Sequence, residues 1–176
     1  MRIISGTYRG KNIRPPKNFK VRPTTDFAKE GLFNILLNSF DMEELDVLDL
    51  FSGTGSITYE FISRGARSVV AIEKEHAHFS FIRKTCQELD MELVNVIRGD
   101  VFSYLKRPYQ SFDLIFADPP YDHALLETLP DLIFNTEILA KGGTFILEHP
   151  GTHSFTSHDH FNEHRKYGGV NFTFFK

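Results

Sequence analysis

What most constrains this chain is a regular alternation of two kinds of segment. Five short apolar runs, at residues 47–50, 68–72, 93–97, 113–117 and 143–148, recur along the middle of the sequence. Between them lie stretches at 56–64, 75–89, 101–105 and 125–134 that read as helices. Runs so short and so apolar read as strands buried on both faces, and a strand joined to the next by a helix pairs with it in parallel. The alternation therefore predicts a parallel sheet with helices on both sides. Another helix is expected to begin near Thr25 and Asp26, which are good N-cap types, with Ala28, Leu32, Ile35, Leu36 and Phe40 on one stripe. Gly65 falls where the first crossover helix needs its C-terminal cap. The tail breaks the pattern, because residues 163–167 and 170–175 flank Gly168-Gly169 as the two arms of a hairpin would. The expected fold is α/β, with a seven-stranded, mostly parallel sheet that ends in an antiparallel C-terminal hairpin.

At 176 residues the chain is expected to form one domain overall. A single cysteine, Cys86, excludes an internal disulfide and reads as a plain core or surface thiol. No apolar run approaches the roughly 20 residues that cross a bilayer. Met1 is followed by no apolar leader, so a cytoplasmic location is expected. The net charge of −3 conceals an asymmetry. Residues 1–25 carry Arg2, Arg9, Lys11, Arg14, Lys17, Lys20 and Arg22 and no acid, which leaves thirteen basic against twenty-three acidic side chains in the rest. The segment 1–25, punctuated by Gly6, Gly10, Pro15, Pro16 and Pro23, thus reads as a basic extension on a domain spanning 26–176. Such a block is either a solvated tail or an arm for phosphates. The second reading makes Arg9 and Lys11 candidate nucleic-acid contacts.

The first strand runs into Asp49-Leu50-Phe51-Ser52-Gly53-Thr54-Gly55, and glycines there let backbone approach a ligand closely. The spacing is not the Gly-x-Gly-x-x-Gly of dinucleotide enzymes, since the third glycine is replaced by Thr58. Glu73, followed by Lys74, ends the second strand about twenty residues on, where a carboxylate can accept both hydroxyls of a ribose; it reads equally as a solvated acid at a helix start. Asp100, followed by Val101, comes after the third strand and can accept from an adenine amino group or cap the next helix. Three such features at three successive strand ends line one rim of the sheet, where open α/β sheets bind ligands, and together favour an adenosine-type ligand. No lysine follows the glycines to grip phosphates, which argues against a nucleoside triphosphate but does not exclude NAD.

The fourth strand ends in Asp118-Pro119-Pro120-Tyr121. Two prolines donate no hydrogen bonds and fix the backbone, so the Pro119 carbonyl and the Asp118 carboxylate can form two rigid acceptors. Two acceptors suit the two hydrogens of an aromatic amine, whose lone pair is otherwise delocalised into its ring. Tyr121 offers a face on which a base turned out of its stack can rest. The chemistry this suggests is transfer of a group to an exocyclic base nitrogen, without a metal. Late histidines (His149, His153, His158, His160 and His164) lie in a segment that reads largely as loop, with no cysteine partner nearby, and are not taken as a metal site.

With these residues in hand, the chain resembles the class I methyltransferases that carry an Asp/Asn-Pro-Pro-Tyr/Phe motif. It is similar in particular to the RsmD family, which methylates guanine N2 in 16S ribosomal RNA. The resemblance rests on Met1-Arg2-Ile3-Ile4-Ser5-Gly6-Thr7-Tyr8-Arg9-Gly10, on Arg22-Pro23-Thr24-Thr25-Asp26 running into Glu30-Gly31-Leu32-Phe33-Asn34-Ile35-Leu36, on the 49–55 loop with Ser63-Arg64-Gly65-Ala66, and on 112–121. It spans about residues 1–148. It implies a Rossmann-like class I methyltransferase fold and S-adenosyl-L-methionine as cofactor, held near Asp49, Gly53, Gly55, Glu73 and Asp100. It implies Asp118 to Tyr121 at the target amine, and Arg22, Pro23 and Thr24 near cofactor and target. The implied substrate is ribosomal RNA, free or within an assembling small subunit, and the implied state is a monomer. Rival readings are a methyltransferase for adenine N6 in DNA or RNA, an NAD-dependent oxidoreductase, and a non-catalytic RNA-binding module.

Overall fold

The structure is a computed structural model that describes residues 1–19 and 24–176. In chain order the elements are α1 (Asp26–Ser39), β1 (Asp46–Leu50), α2 (Ser56–Ser63), β2 (Ser68–Glu73), α3 (His76–Glu88), β3 (Val94–Arg98), α4 (Val101–Leu105), β4 (Phe112–Ala117), α5 (Leu129–Phe134), β5 (Leu139–His149), β6 (Phe161–Tyr167) and β7 (Val170–Phe175). The seven strands form one sheet in the order β3-β2-β1-β4-β5-β7-β6. β1 to β5 pair in parallel, and β7 joins antiparallel to both β5 and β6. The expected hairpin tail is therefore the antiparallel edge of a parallel sheet.

Strand periodicity sorts the core onto two faces. Val47, Val69, Leu114, Phe116 and Ile146 point into one cluster, under α1, α2 and α3. Their neighbours Leu48, Val70, Ile115, Ala117 and Leu147 point into the other, under α4 and α5. Successive side chains of a strand face opposite ways, so strands apolar at every position must be covered twice. Thr25 caps α1, its hydroxyl accepting the Ala28 N–H at 3.2 Å. Among the described residues no helix is long and apolar enough to cross a membrane.

Two expectations need correction. The helix expected at 125–134 is a 3-10 turn (Leu126–Thr128) followed by α5, which starts afresh with Pro130 in its first turn. Proline lacks an N–H and clashes inside a helix, so it is accommodated only there. Residues 1–13 also do not form a solvated tail but pack on the rest of the chain. Ile3 and Ile13 are buried in the core, and residues 1–13 form a small ribbon, bridged at Arg2 and Asn12, that lies against α2. The Ile4 and Ser5 N–H groups donate to the Glu60 carboxylate at 3.0 and 3.1 Å, and Tyr8 N–H donates to the Ser63 hydroxyl at 3.0 Å. Gly6 lets the ribbon come this close: a Cβ there would lie 1.7 Å from the Ser63 carbonyl oxygen.

Candidate active site

β1 and β4 lie side by side in the sheet, with Leu50 opposite Ala117. The chain leaves β1 toward β2 and β3, and leaves β4 toward β5 on the other side. Loops departing in opposite directions open a crevice at the C-terminal ends of the strands, the switch point of a doubly wound sheet. A cavity of about 630 Å³ occupies it, inside the range of about 300–1,000 Å³ usual for small-molecule sites.

One wall is the loop after β1. Phe51, Ser52, Gly53 and Thr54 line the cavity, with Asp49 below them in β1. Phe51 has φ +60°, a left-handed conformation that costs a non-glycine residue roughly 1–2 kcal/mol. Ser52 helps to hold that turn: its hydroxyl lies 2.8 Å from the Asp49 carbonyl and 3.2 Å from that of Ile72. Gly55, expected at the ligand, is not among the residues lining the cavity. It caps α2 with φ +83°, and a Cβ there would lie 2.6 Å from the Tyr59 ring. Turn geometry and that ring require the glycine.

Thr58, which stands at the missing third glycine, donates its hydroxyl to the buried Asp49 carboxylate. Burial raises the Asp49 pKa to about 7, against the lowering pull of Thr58. Glu73 is 7% exposed, which removes its reading as a solvated acid. Its Oε2 accepts the Gly53 N–H at 2.8 Å and its Oε1 accepts the Glu75 N–H at 2.7 Å. The carboxylate that reads as a ribose acceptor thus also fastens the glycine loop. His78 Nδ1 lies 3.8 Å from Oε1. Burial pushes the Glu73 pKa up, and the two backbone N–H groups offset part of that. Carboxylate oxygens accept about two bonds each, so both keep capacity toward the cavity.

Asp100 has the capping role and also stands at the cavity. It caps α4, accepting from the Ser103 N–H at 3.0 Å, and it lines the cavity with Val101. Lys74, also at the cavity, lies 3.3 Å from its Oδ2. Partial burial raises the Asp100 pKa, but the Ser103 N–H, Lys74 and the Ser103 hydroxyl outweigh it and the net shift is downward.

The facing wall is the loop after β4. Asp118, Pro119, Pro120 and Tyr121 all line the same cavity, as does Thr24. The Tyr121 hydroxyl donates to Glu148 Oε1 at 3.2 Å, and the Thr24 hydroxyl donates to Oε2 at 3.1 Å. Sequence reading missed Glu148. Its signal was its position, since it is one more acid at the C-terminal end of a parallel strand. It missed also an aromatic cluster at the rim, where His123 stacks on Phe102 with ring centroids 5.0 Å apart and Phe51 packs edge-on against both.

Arg9 and Lys11 are exposed in the N-terminal ribbon and do not line the cavity. Arg22 and Pro23 lie outside the described residues. The late histidines serve packing: His153 pairs with Glu127 at 2.8 Å, His158 with Asp131 at 3.3 Å, and His149 is buried with Nε2 2.8 Å from the Thr173 hydroxyl. Among the described residues no three His, Cys, Asp or Glu side chains gather as a metal site.

Comparison with known proteins points one way. The family model described as conserved hypothetical protein 95 matches residues 1–176, including the hairpin tail. Ribosomal RNA small subunit methyltransferase D of Buchnera aphidicola subsp. Baizongia pistaciae (strain Bp) is 34% identical over 152 residues, covering 86% of this chain and 77% of its own length. The protein of the same name from Escherichia coli (strain K12) is 30% identical over 148 residues, covering 84% and 74%. Among solved structures, yhhF from Escherichia coli superposes with a TM-score of 0.86 at 27% identity, over 99% of this chain and 96% of that one.

Proposed function

Because the chain belongs to the conserved hypothetical protein 95 family, together with ribosomal RNA small subunit methyltransferase D, it is an rRNA methyltransferase, and we propose that it methylates the exocyclic N2 of a guanine in small-subunit ribosomal RNA. One observation carries the reading. A single cavity joins the glycine loop and Glu73 to the Asp118-Pro119-Pro120-Tyr121 wall, so a cofactor and a base can meet inside it.

The residues present suit S-adenosylmethionine. The β1–α2 loop offers backbone, Glu73 offers acceptors for a ribose, and Asp100 with Val101 offers an acceptor and an apolar surface for adenine. When bound, the cofactor supplies a methyl group on a sulfonium, which needs no metal. The remaining work falls to the chain. Asp118 and the Pro119 carbonyl accept the two hydrogens of the guanine amine, which favours a pyramidal nitrogen with its lone pair directed outward. Positive charge grows on that nitrogen in the transition state, so these acceptors act more strongly there than in the ground state. Tyr121 provides the face on which the flipped base stacks, worth about 1–3 kcal/mol. Holding the partners in line supplies much of the rest. Exposed Arg9 and Lys11, with Arg22, serve the phosphate backbone.

The test is to incubate the protein with labelled S-adenosylmethionine and total RNA from cells lacking it, then to identify the modified nucleoside by mass spectrometry. N2-methylguanosine in small-subunit RNA is expected. N6-methyladenosine would replace the guanine assignment, since two amine acceptors suit either base.

A further inference from the structure

β5 ends at the cavity in Glu148, which is 3% exposed. A carboxylate taken this far out of water needs hydrogen-bond donors. It receives the Tyr121 hydroxyl at 3.2 Å and the Thr24 hydroxyl at 3.1 Å, one on each oxygen. These donors belong to segments remote in sequence: Tyr121 to the loop after β4, and Thr24 to the chain just ahead of α1. We propose that Glu148 is a positioning residue for the target base. It fixes the Tyr121 ring by its hydroxyl end and ties the segment ahead of α1 to the same wall. The inference rests on the reading above that Tyr121 receives the base.

A tyrosine ring held at its backbone and at its hydroxyl has little freedom left to lose when a base stacks on it. Without Glu148 the ring must be ordered at the moment of binding, so affinity for RNA falls while Asp118 is untouched. The effect therefore belongs in KM and not in kcat. Toward Tyr121 and Thr24 the role calls for hydrogen-bonding atoms at two points. A glutamine meets it: its carbonyl accepts from Tyr121, and its NH2 donates to the Thr24 hydroxyl.

Steady-state methylation of small-subunit RNA and RNA affinity by filter binding are compared for wild type, Glu148→Ala, Glu148→Gln, Tyr121→Phe and the Glu148→Ala/Tyr121→Phe pair. Cofactor affinity is followed by calorimetry on each. Glu148→Ala and Tyr121→Phe should each weaken RNA binding and raise KM about tenfold, with kcat within about threefold and cofactor affinity within about twofold. The pair should be no worse than the worse single variant, as for two ends of one contact. Glu148→Gln should stay near wild type. Glutamine as damaging as alanine, unchanged RNA affinity in Tyr121→Phe, or additive losses in the pair would each overturn the inference. If Glu148→Ala does not fold, the contrast between Tyr121→Phe and Glu148→Gln decides alone. A wild type that binds RNA but transfers no methyl group would sink the functional reading, and the binding pattern would still judge Glu148.

Discussion

Asp118 and Asp49 end adjacent strands, and their surroundings give them different work. Asp118 lines the cavity beside two prolines and is assigned to the amine. Asp118→Ala should lower methyl transfer by a hundredfold or more, on the order of what one preorganised electrostatic contact contributes. Cofactor affinity measured by calorimetry should change little; lost affinity with turnover preserved would reverse the assignment. Asp49 is buried, and its pKa is raised to about 7 chiefly by that burial, with Thr58 opposing and the Glu73 charge adding to it. In the unfolded chain an aspartate titrates near 3.9. As pH rises from about 4 to about 7 the unfolded chain gives up a proton that the native state keeps, so this group's contribution to stability falls across that window and is level above it. Asp49→Asn lacks the titration, so its stability relative to wild type should rise between pH 4 and pH 8, by no more than about 4 kcal/mol. Urea denaturation at the two pH values measures this. A difference that does not vary with pH would mean that Asp49 ionises as an ordinary aspartate.

Among the elements, α2 is the one on which the most depends. Its Glu60 is fully buried, accepts the Ile4 and Ser5 N–H groups, and stands 3.5 Å from Lys29 Nζ and 2.8 Å from Arg64. Burial lowers the Lys29 pKa, and the Glu60 charge pulls it back up. Glu60→Ala would leave the buried Lys29 ammonium without its counter-charge, held by the Arg2 carbonyl at 2.8 Å and the Ser56 hydroxyl at 3.3 Å, and would leave two N–H groups unmatched, which should destabilise the protein by about 3–5 kcal/mol in denaturant melts. A loss below about 1 kcal/mol would mean that Ile3, Ile13 and the bonds to Ser63 hold the ribbon without Glu60. Most strands and helices were legible within a residue or two, because alternation and capping are written locally: Thr25 caps α1 and Gly168-Gly169 turns β6 into β7, whereas β5 starts at Leu139, four residues ahead of its expected run. The α5 region misled, since apolar spacing persists across Pro130 although the helix does not. The docking of residues 1–13 was invisible because its partners, Glu60 and Ser63, lie more than fifty residues away.

For the molecule as a whole, the proposed RNA contact of the basic N-terminal segment can be tested by salt dependence. Arg9 and Lys11 project from a ribbon anchored in the core, so removing residues 1–20 would strip Ile3 and Ile13 as well and would not isolate the charge. The cleaner measurement is the double substitution Arg9→Ala/Lys11→Ala. It should leave the melting temperature unchanged and reduce the slope of log affinity against log salt by about 1–2. An unchanged slope would take these residues off the phosphate path. The succession and kind of the elements along the chain, the antiparallel end of the sheet, and the loops that face one rim follow from the sequence by itself. Periodicity reports which backbone is buried, and a right-handed crossover leaves few ways to arrange it. Tertiary structure alone decided who shares the cavity. It set Gly55 outside, turned Glu73 back onto Gly53, gave Asp100 a capping bond, and brought Glu148 under both Thr24 and Tyr121. Those are choices of hydrogen-bond partner between residues on separate crossovers, and a partner is chosen by distance in space, which no local pattern encodes.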